Sequence, residues 1–377
     1  MKKVVVGLSG GVDSAVSAFL LKAQGYEVIG LFMRNWDSFA NNDILGNPNV
    51  EDDICPQEKD YQDALKVAEY LNIPLYRKDF VKEYWDHVFT YFIEEHKNNR
   101  TPNPDILCNK YVKFASFQEE ARKLGADYFA YGHYARKKES ENEIFLLRGI
   151  DNLKDQSYFL CQLNQEQLKN SLFPVGELTK KQVRDIAKSN QIPTANKKDS
   201  TGICFIGERN FRDFLKNYLF TKPGNIETLN REILGFHEGL MYYTIGQRKG
   251  LNIGGDNRFK NSPWFVVGKD IERNVLLVGQ GINHPHLYSN RIIVDDVNWI
   301  SPVRFSGWYE CTAKFRYRQT DNLVRIRWID EFSLEVICNK PTRATTPGQA
   351  AVFYNDEVCL GGGTIRSVFQ NQNQLKY

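Results

Sequence analysis

The stretch from Gly7 to Ser14, with the sequence GLSGGVDS, most constrains what this chain can fold into. It follows Val4–Val6, a β-branched run typical of a strand buried on both faces of a parallel sheet. An apolar helical segment follows and ends at Gly25. In a strand–glycine loop–helix unit, the helix N-terminus offers unpaired N–H groups and the positive end of the helix dipole. The stretch therefore predicts an anion site, with phosphate as the first candidate ligand; an ordinary glycine-rich turn is the alternative.

Two common phosphate motifs do not match this stretch. A Walker loop requires a lysine that reaches a terminal phosphate, and the stretch contains no lysine. The spacing of a dinucleotide fingerprint is also missing. The segment Ser9–Ser14 instead resembles the loop of the ATP pyrophosphatase superfamily. Members of that superfamily bind the pyrophosphate of ATP and transfer the adenylyl group to an oxygen, so the resemblance implies ATP as the ligand.

The composition is that of a globular protein. The chain has 377 residues, enough for two or three domains, of which 42% are hydrophobic and 25% charged. A net charge of +3 does not by itself indicate a nucleic-acid partner. No stretch approaches the ~20 apolar residues needed to cross a bilayer, and the apolar run after Met1 is too short for a signal peptide. We therefore expect a cytoplasmic protein with no membrane partner.

Hydrophobic periodicity predicts an α/β fold followed by two β-rich parts. Strands alternate with helices in the N-terminal half, which favours a doubly wound parallel sheet. A long segment rich in Asn and Asp, 35–56, is a candidate binding loop. Short strands from about residue 210 onward, including Met241–Thr244, indicate a small middle domain, and the later strands a β-barrel. We predict three domains: 1–209, an α/β domain that carries the loop resembling an ATP site; 210–285, a small β-rich domain; and 286–370, a β-barrel.

Alternation along the predicted barrel strands Tyr309–Arg318 and Leu323–Ile329 places cations on one face of each strand. These cations are Lys314, Arg316, Arg318, Arg325 and Arg327. A solvated surface is the usual explanation for such a face. Their density in a chain of nearly neutral charge instead favours contact with a phosphate backbone.

The seven cysteines do not form an obvious framework. An odd number of cysteines scattered along the chain, without a Cys-x-x-Cys pair, argues against structural disulfides, a zinc ribbon and an iron–sulfur cluster. Four of them lie in apolar patterns typical of a core, namely Cys161, Cys311, Cys338 and Cys359. Cys108 and Cys204 fit that interpretation poorly.

Cys108 and Cys204 have surroundings that favour a reactive thiol. We expect Asp105 to cap a helix that carries Cys108 in its first turn, where the helix N-terminus lowers a thiol pKa. Asp105 lies three residues before the thiol, within reach to take or return its proton. Cys204 follows a polar, glycine-containing turn with Lys197 and Lys198 nearby.

Several segments together resemble the tRNA-specific 2-thiouridylases, in order and across nearly the whole chain. They are Ser9–Ser14, Asn103–Asp105 with Cys108–Lys110, Gly132–Ala135, Asp199–Gly207, Gly246–Arg248 and Pro347–Gln349. The resemblance implies ATP-dependent 2-thiolation of the wobble uridine of tRNA. The uridine 2-oxygen would be adenylated and then replaced by sulfur from a cysteine persulfide, with release of pyrophosphate and AMP. It also implies Mg²⁺ with the ATP, a sulfur-relay donor protein as partner, no metal held by the protein alone, and a monomer.

The same resemblance implies roles for individual residues. Cys108 would be the nucleophile, Cys204 the persulfide carrier and Asp105 their catalytic neighbour, and Cys108 and Cys204 would form a redox disulfide. The implied ATP contacts are Gly7, Leu8, Ser9, Gly10, Gly11, Val12, Asp13, Ser14, Met33 and Gly132. Asn103, Pro104 and Asp105 would surround the target base. The implied tRNA contacts are His133, Lys154, Asp155, Gln156, Arg316, Tyr317 and Gln349. Without the resemblance, Met33 is equally well explained as a core residue, and a single histidine such as His133 is more often structural.

Two other functions stay open at this point. An amide- or lysine-ligating synthetase would use the same adenylating loop, but it has no use for paired cysteines. An RNA-binding protein with a vestigial loop is a non-enzymatic alternative, and it would release no pyrophosphate from ATP in the presence of tRNA.

Overall fold

The computed structural model describes residues 1–49, 51–52, 55–140, 143–199, 202, 206–254 and 262–376. Cys204 lies outside these described residues. The strands are β1 Lys3–Gly7, β2 Glu27–Arg34, β3 Leu75–Asp79, β4 Tyr128–Ala130, β5 Ala135–Ser140, β6 Glu143–Arg148, β7 Ser171–Leu172, β8 Gly224–Thr228, β9 Ile233–His237, β10 Trp264–Asp270, β11 Val275–Gln280, β12 Tyr288–Trp299, β13 Tyr309–Lys314, β14 Asn322–Trp328, β15 Leu334–Arg343, β16 Ala350–Asn355, β17 Val358–Gln370 and β18 Asn373–Gln374.

The α-helices of the described ranges are α1 Val12–Ala23, α2 Pro56–Leu71, α3 Val81–Tyr84, α4 Thr90–Lys97, α5 Pro104–Leu107, α6 Phe117–Lys123, α7 Gln165–Lys169, α8 Lys180–Ser189 and α9 Phe211–Lys216. π-Helical turns at Trp85–Phe89 and Cys108–Ser116 join α3 to α4 and α5 to α6. Short 3₁₀ turns occupy Ser157–Leu160, Leu240–Tyr242 and Pro285–Leu287. No helix in the described part of the chain combines the length and apolar character needed to span a bilayer.

The N-terminal sheet confirms the predicted α/β architecture. Its strands run in the order β3-β2-β1-β4-β7, and all neighbouring pairs are parallel. Val5 packs into one buried cluster and Val4 and Val6 pack into another, so helices cover both faces of the sheet. Because β1 lies at the centre, the Gly7–Ser14 stretch emerges in the middle of the carboxyl edge, where ligands bind in such sheets.

The C-terminal β-barrel is also confirmed. Strands β12-β15-β14-β13-β16-β17 form a continuous sheet that β12–β17 pairing closes. The middle part contains a separate four-stranded sheet in the order β10-β11-β8-β9. The hairpin β5–β6 extends the barrel sheet by pairing Leu147 with Val358 of β17. The barrel is therefore joined to the N-terminal part by backbone hydrogen bonds, as well as by side chains.

Two predicted strands differ in the structure. The segment Met241–Thr244 contains a 3₁₀ turn over Leu240–Tyr242 in place of a strand. The barrel strand predicted over Tyr309–Arg318 ends at Lys314. The Gln319 side-chain oxygen accepts the N–H of Phe315 at 2.9 Å, so that donor is withdrawn from the ladder and the chain turns.

The start of the predicted 35–56 loop is anchored by a buried ion pair. Arg209 contacts Asp43 at 2.7 Å, and their side chains are 4% and 0% exposed. The indole N–H of Trp36 donates to the same carboxylate at 2.9 Å. A side chain at Gly46 would lie 2.6 Å from the carbonyl oxygen of Asn210, so the two backbones are in close contact. The segment therefore packs against the start of α9.

Removing the Asp43 charge should destabilise this packing. Asp43→Asn leaves the Arg209 guanidinium buried without its counter-charge, which we expect to cost about 3 kcal/mol of unfolding free energy. Urea unfolding followed by tryptophan fluorescence measures the loss, because Trp36 contacts the pair. Asp86→Asn is the control, since its partner Lys82 is 84% exposed and the pair contributes little. Similar unfolding midpoints for the two variants would contradict the stabilising role of the Asp43–Arg209 ion pair.

Candidate functional site

The Gly7–Ser14 stretch forms an anion site at the start of α1. Gly10 has a φ of +76°, and a side chain there would overlap the carbonyl oxygen of Asp60 in α2. The N-cap residue Gly11 is extended, and because it has no side chain it cannot cap the helix. The backbone N–H groups of residues 10–14 donate to no acceptor within the described ranges. These N–H groups and the helix dipole are thus available to a negatively charged ligand.

Two further residues that the sequence links to ATP lie beside this loop. A Cβ on Gly132 would be 2.9 Å from the backbone nitrogen of Ser14, so the end of β4 packs directly on the first turn of α1. A Cβ on Gly7 would lie 3.6 Å from the terminal methyl of Met33. Met33 is also 8% exposed and belongs to the buried cluster that contains Cys108. Its placement suits both a nucleotide contact and a core residue.

Asp13 brings a negative charge to the same helix end. The hydroxyl of Tyr134 donates to Asp13 at 2.7 Å, and the ammonium of Lys180 lies 2.8 Å from both carboxylate oxygens. Burial, together with the Asp13 charge, raises the Tyr134 pKa well above its ordinary value. A phosphate ~4 Å from a lone carboxylate would be repelled by about 4 kcal/mol at an effective dielectric constant of 20. The Lys180 ammonium offsets that repulsion.

Asp199 connects this charge pair to a second group of cations. Its carboxylate contacts the ammonium of Lys180 at 2.8 Å, that of Lys154 at 2.7 Å and the guanidinium of Arg184 at 2.7 Å. Partial burial acts to raise the Asp199 pKa, but the hydrogen bonds from Lys154 and Lys180 outweigh it and hold the pKa well below its ordinary value. Lys154, one of the predicted tRNA contacts, is thereby linked to the ATP loop.

Sequence reasoning missed Lys180, Arg184 and the role of Tyr134. One local signal for Lys180 was present, because Thr179 and Gln182 form a capping box that places Lys180 at the start of α8. In the structure the box is complete and α8 begins directly after Thr179. The contact between Lys180 and Asp13 spans 167 residues of sequence, and no local pattern indicates it.

Cys108 lies just beyond a short helix that starts differently from the prediction. The N-cap of α5 is Asn103, so the expectation that Asp105 caps this helix is wrong. Asn103 is extended and Pro104 follows it with a backbone already suited to the first helical position, which leaves Asp105 inside the first turn. Cys108 begins the π-helical turn and is fully buried.

The loop before Asn103 is held by both C-terminal parts of the chain. The side-chain amide of Gln349 donates to the carbonyl of Thr101 at 2.8 Å, and the N–H of Thr101 donates to the carbonyl of Pro347 at 3.1 Å. The hydroxyls of Thr101 and Thr244 are 3.1 Å apart. Gln349, a predicted tRNA contact, therefore also fixes the backbone next to the predicted target-base residues.

Arg316 and Tyr317, two other predicted tRNA contacts, lie in the turn after β13. Arg316 donates to the carbonyl of Ile245 at 2.8 Å. The Tyr317 ring lies 4.4 Å from the ring of Phe159, and its hydroxyl donates to the carbonyl of Lys154 at 3.5 Å. Burial raises the pKa of Tyr317 to about 12. The structure thus brings Arg316, Tyr317 and the Lys154 turn together.

Asp155 and Gln156 point into the protein. Asp155 is 4% exposed and accepts the N–H groups of Gly149 and Ser157, both at 3.1 Å. The side-chain oxygen of Gln156 accepts the N–H of Tyr134 at 3.0 Å. Both side chains therefore order the turn after Lys154, and contact with tRNA stays a prediction for them.

His133 is buried among aromatic rings. It is 8% exposed, and the rings of Phe114 and Tyr131 lie 5.9 and 6.0 Å from it. Its Nδ1 has no hydrogen-bond partner in the described part of the chain. Burial, with a smaller effect of the Lys113 charge, lowers the His133 pKa well below its ordinary value. This placement matches a structural histidine, and the predicted tRNA contact is untested.

Other candidate residues have structural partners. The four cysteines that were expected in the core are buried, at 0–8% exposure: Cys161, Cys311, Cys338 and Cys359. Arg325 and Arg327 both lie 4.7 Å from the ring of Trp308. Within the described ranges, no group of three or more His, Cys, Asp or Glu residues could hold a metal. Both oxygens of Asp13 already contact Lys180, so a magnesium ion at the anion site would be held by the oxygens of a bound phosphate and by water.

Comparison with known proteins covers the whole chain. Three family models match: "tRNA methyl transferase HUP domain" over residues 2–208, "tRNA methyl transferase PRC-barrel domain" over 212–280 and "Aminomethyltransferase beta-barrel domain" over 289–365. A relative from Listeria monocytogenes serotype 4b is 55% identical over 375 residues, covering 100% of this chain and 97% of its own length. Relatives from Lysinibacillus sphaericus and Bacillus cytotoxicus are 54% and 52% identical with the same coverage. All three relatives are named "tRNA-specific 2-thiouridylase MnmA".

The burial of His133 predicts a loss of stability in mild acid. The folded protein holds this imidazole neutral, whereas the unfolded chain protonates it below its ordinary pKa of about 6.5. Stability is therefore lost as the pH falls through that value, by about 2 kcal/mol at pH 5. Urea unfolding at pH 7.5 and pH 5 should show a smaller loss for His133→Phe than for the wild type. Replacing the exposed His87 with Gln is the control, and equal losses for wild type and His133→Phe would refute the prediction.

Proposed function

The chain belongs to the tRNA-specific 2-thiouridylase family and is a tRNA sulfurtransferase, and from this we propose that it adenylates the 2-oxygen of a wobble uridine and exchanges that oxygen for sulfur. The single observation that best supports the proposal is the set of N–H groups open to an anion at the start of α1, on the sheet whose core also contains Cys108. Cys108 packs in the buried cluster on the face of the sheet opposite to α1, and Met33 of that same cluster lies beside Gly7 of the loop.

The first step of the proposed reaction is adenylation. The uridine 2-oxygen attacks the α-phosphorus of ATP, the bond from that phosphorus to the bridging oxygen breaks, and pyrophosphate leaves. The N–H groups of residues 10–14 hold the phosphates. Magnesium bound to the phosphate oxygens would neutralise part of the phosphate charge. Met33 and Gly132, beside the loop, line the position proposed for the adenosine.

The second step transfers sulfur. A sulfur-relay donor first loads Cys204 as a persulfide. Its outer sulfur then attacks C2 of the activated uridine, AMP leaves, and attack by Cys108 on the Cys204 sulfur releases 2-thiouridine. Alternatively, Cys108 attacks the persulfide first and the freed sulfide displaces AMP. Both routes leave a Cys108–Cys204 disulfide, so an external thiol must return two electrons in each cycle.

The residues before Cys108 form the proposed binding site for the target base. Asn103, Pro104 and Asp105 lie shortly before the thiol in sequence, and Asp105, in the first turn of α5, is the residue proposed to accept its proton. Because Cys108 has no exposed surface, the residues that cover it must move before its sulfur can reach the Cys204 persulfide. The hydrogen bonds of Gln349 and Thr244 to Thr101 hold one end of this loop during that movement.

Methyl transfer is a second candidate, because two of the matching family models are described as domains of a tRNA methyl transferase. It would use neither an adenylating loop nor paired cysteines. Mass spectrometry of tRNA nucleosides, after incubation with ATP, magnesium and a persulfide donor, separates the two functions: thiolation exchanges oxygen for sulfur, whereas methylation adds a methyl group. A methylated nucleoside, or an unmodified one, would contradict the proposal.

Replacing either cysteine should separate the two steps. We expect Cys204→Ser and Cys108→Ser to lower 2-thiouridine formation by ~100-fold or more, because each route needs both sulfurs. Pyrophosphate release from ATP in the presence of tRNA should continue, since adenylation needs neither thiol. The control is Cys55→Ser, a change at an exposed cysteine. Normal thiolation by Cys204→Ser would exclude the proposed sulfur route.

The barrel cation Arg318 provides a test of tRNA contact. Arg318 is exposed, whereas Arg316 donates to the protein backbone, so changing Arg318 disturbs the fold less. Arg318→Glu should weaken tRNA binding and reduce the slope of log affinity against log salt by about 1. Arg318→Lys, which keeps the charge, should bind nearly as the wild type does. An unchanged salt slope for Arg318→Glu would remove this residue from the interface.

A further inference from the structure

The anion loop has no lysine of its own, yet a lysine from another helix reaches its first helical turn. We propose that Lys180 is a phosphate-binding residue: its ammonium leaves Asp199 and contacts the phosphate chain of ATP while it keeps Asp13 in place. The inference rests on the proposed use of ATP and adds a residue to that site.

The position of Lys180 is fixed from its backbone outward. It is the first residue of α8, whose capping box is complete, and its own N–H donates to the Asp151 carboxylate at 2.9 Å. Its side chain is 13% exposed and ends 2.8 Å from the carboxylate of Asp13, the second residue of α1. The ammonium therefore reaches a side chain in the first turn of α1, the turn whose N–H groups form the anion site. A lysine held this way loses little freedom when a phosphate binds.

The hydrogen-bond count at Lys180 identifies the partner that it can exchange. An ammonium has three donors, and both oxygens of Asp13 and one oxygen of Asp199 lie at 2.8 Å. A phosphate oxygen must replace one of these acceptors. Asp199 keeps two other cations, Lys154 and Arg184, at 2.7 Å each. Asp13 has only the Tyr134 hydroxyl as another side-chain donor within the described residues. Asp199 is thus the acceptor that Lys180 can leave at the lower cost.

A purely structural ion pair between Lys180 and Asp13 is the alternative. In that case Lys180 would stabilise the loop and would affect every ligand of the site alike. Direct phosphate binding, by contrast, affects ligands in proportion to their phosphate charge. The comparison of ATP with adenosine therefore separates the two roles.

The test uses the full chain with Lys180→Met, which keeps the apolar stem, and Lys180→Arg, which keeps the charge. Lys181→Met, an exposed neighbour in the same turn, is the matched control. Titration calorimetry should show a Kd for ATP raised about 10- to 100-fold by Lys180→Met, the range for losing a charged hydrogen bond. Adenosine affinity should change less than about 2-fold. Lys180→Arg should recover part of the ATP affinity, and Lys181→Met should match the wild type.

Equal losses of ATP and adenosine affinity, or no loss of either, would overturn the assignment. If Lys180→Met does not fold, the comparison is made in an Asp13→Asn background, which no longer needs the lysine as counter-charge. There, Lys180→Gln should still weaken ATP binding relative to adenosine, and an unchanged ratio would overturn the proposal. Wild-type protein that binds ATP but makes no 2-thiouridine would refute the proposed function alone, because the Lys180 assignment depends only on the binding ratio.

Discussion

The unpaired backbone N–H groups at the start of α1 are the constraint on which the rest of the site depends. Val4–Val6 bury both faces of β1, so β1 occupies the centre of the parallel sheet and α1 begins at its carboxyl edge. Neighbouring backbones then approach this edge so closely that Gly10 and Gly132 leave no room for a side chain. The local sequence thus produces a crowded, positively polarised helix end that favours a bound anion.

Charges alternate outward from that helix end. Asp13 lies next to the N–H groups, Lys180 next to Asp13, and Asp199 next to Lys180, with Lys154 and Arg184 beyond. Partial burial strengthens such contacts, because fewer water molecules screen them. A phosphate bound at the helix end therefore changes the electrostatic interactions of all these side chains. Since Lys154 is at its far end, phosphate binding and the predicted tRNA-contacting turn share one set of ion pairs.

Much of the fold could be predicted from local patterns, whereas the contacts that complete the site could not. The triple valine and the glycine loop each act within a few residues, and the structure has the predicted strand and the predicted helix start there. The capping box at Thr179 is a signal of the same local kind. Asp105 was misplaced because Asn103 and Pro104 compete for the same helix start. The end of β13 depends on the Gln319 side chain, which competes with the strand ladder for the N–H of Phe315. Gln349 reaches Thr101 across 248 residues, and periodicity carries no information about such pairs.

The cysteine loop shows why a single domain does not suffice for this site. The Thr101 carbonyl accepts a hydrogen bond from Gln349, and its hydroxyl shares one with the hydroxyl of Thr244. A side chain at Gly348 would lie 2.9 Å from the backbone nitrogen of Thr101. Without the middle and barrel parts, the Thr101 carbonyl and N–H would lose their partners and the loop its fixed end. The loop must nevertheless move, because Cys108 is fully buried. In the proposed reaction, hydrogen bonds to the barrel would hold one end of the loop while the residues over Cys108 move. The barrel therefore fixes the backbone beside the proposed reaction site, in addition to any contact that it makes with RNA.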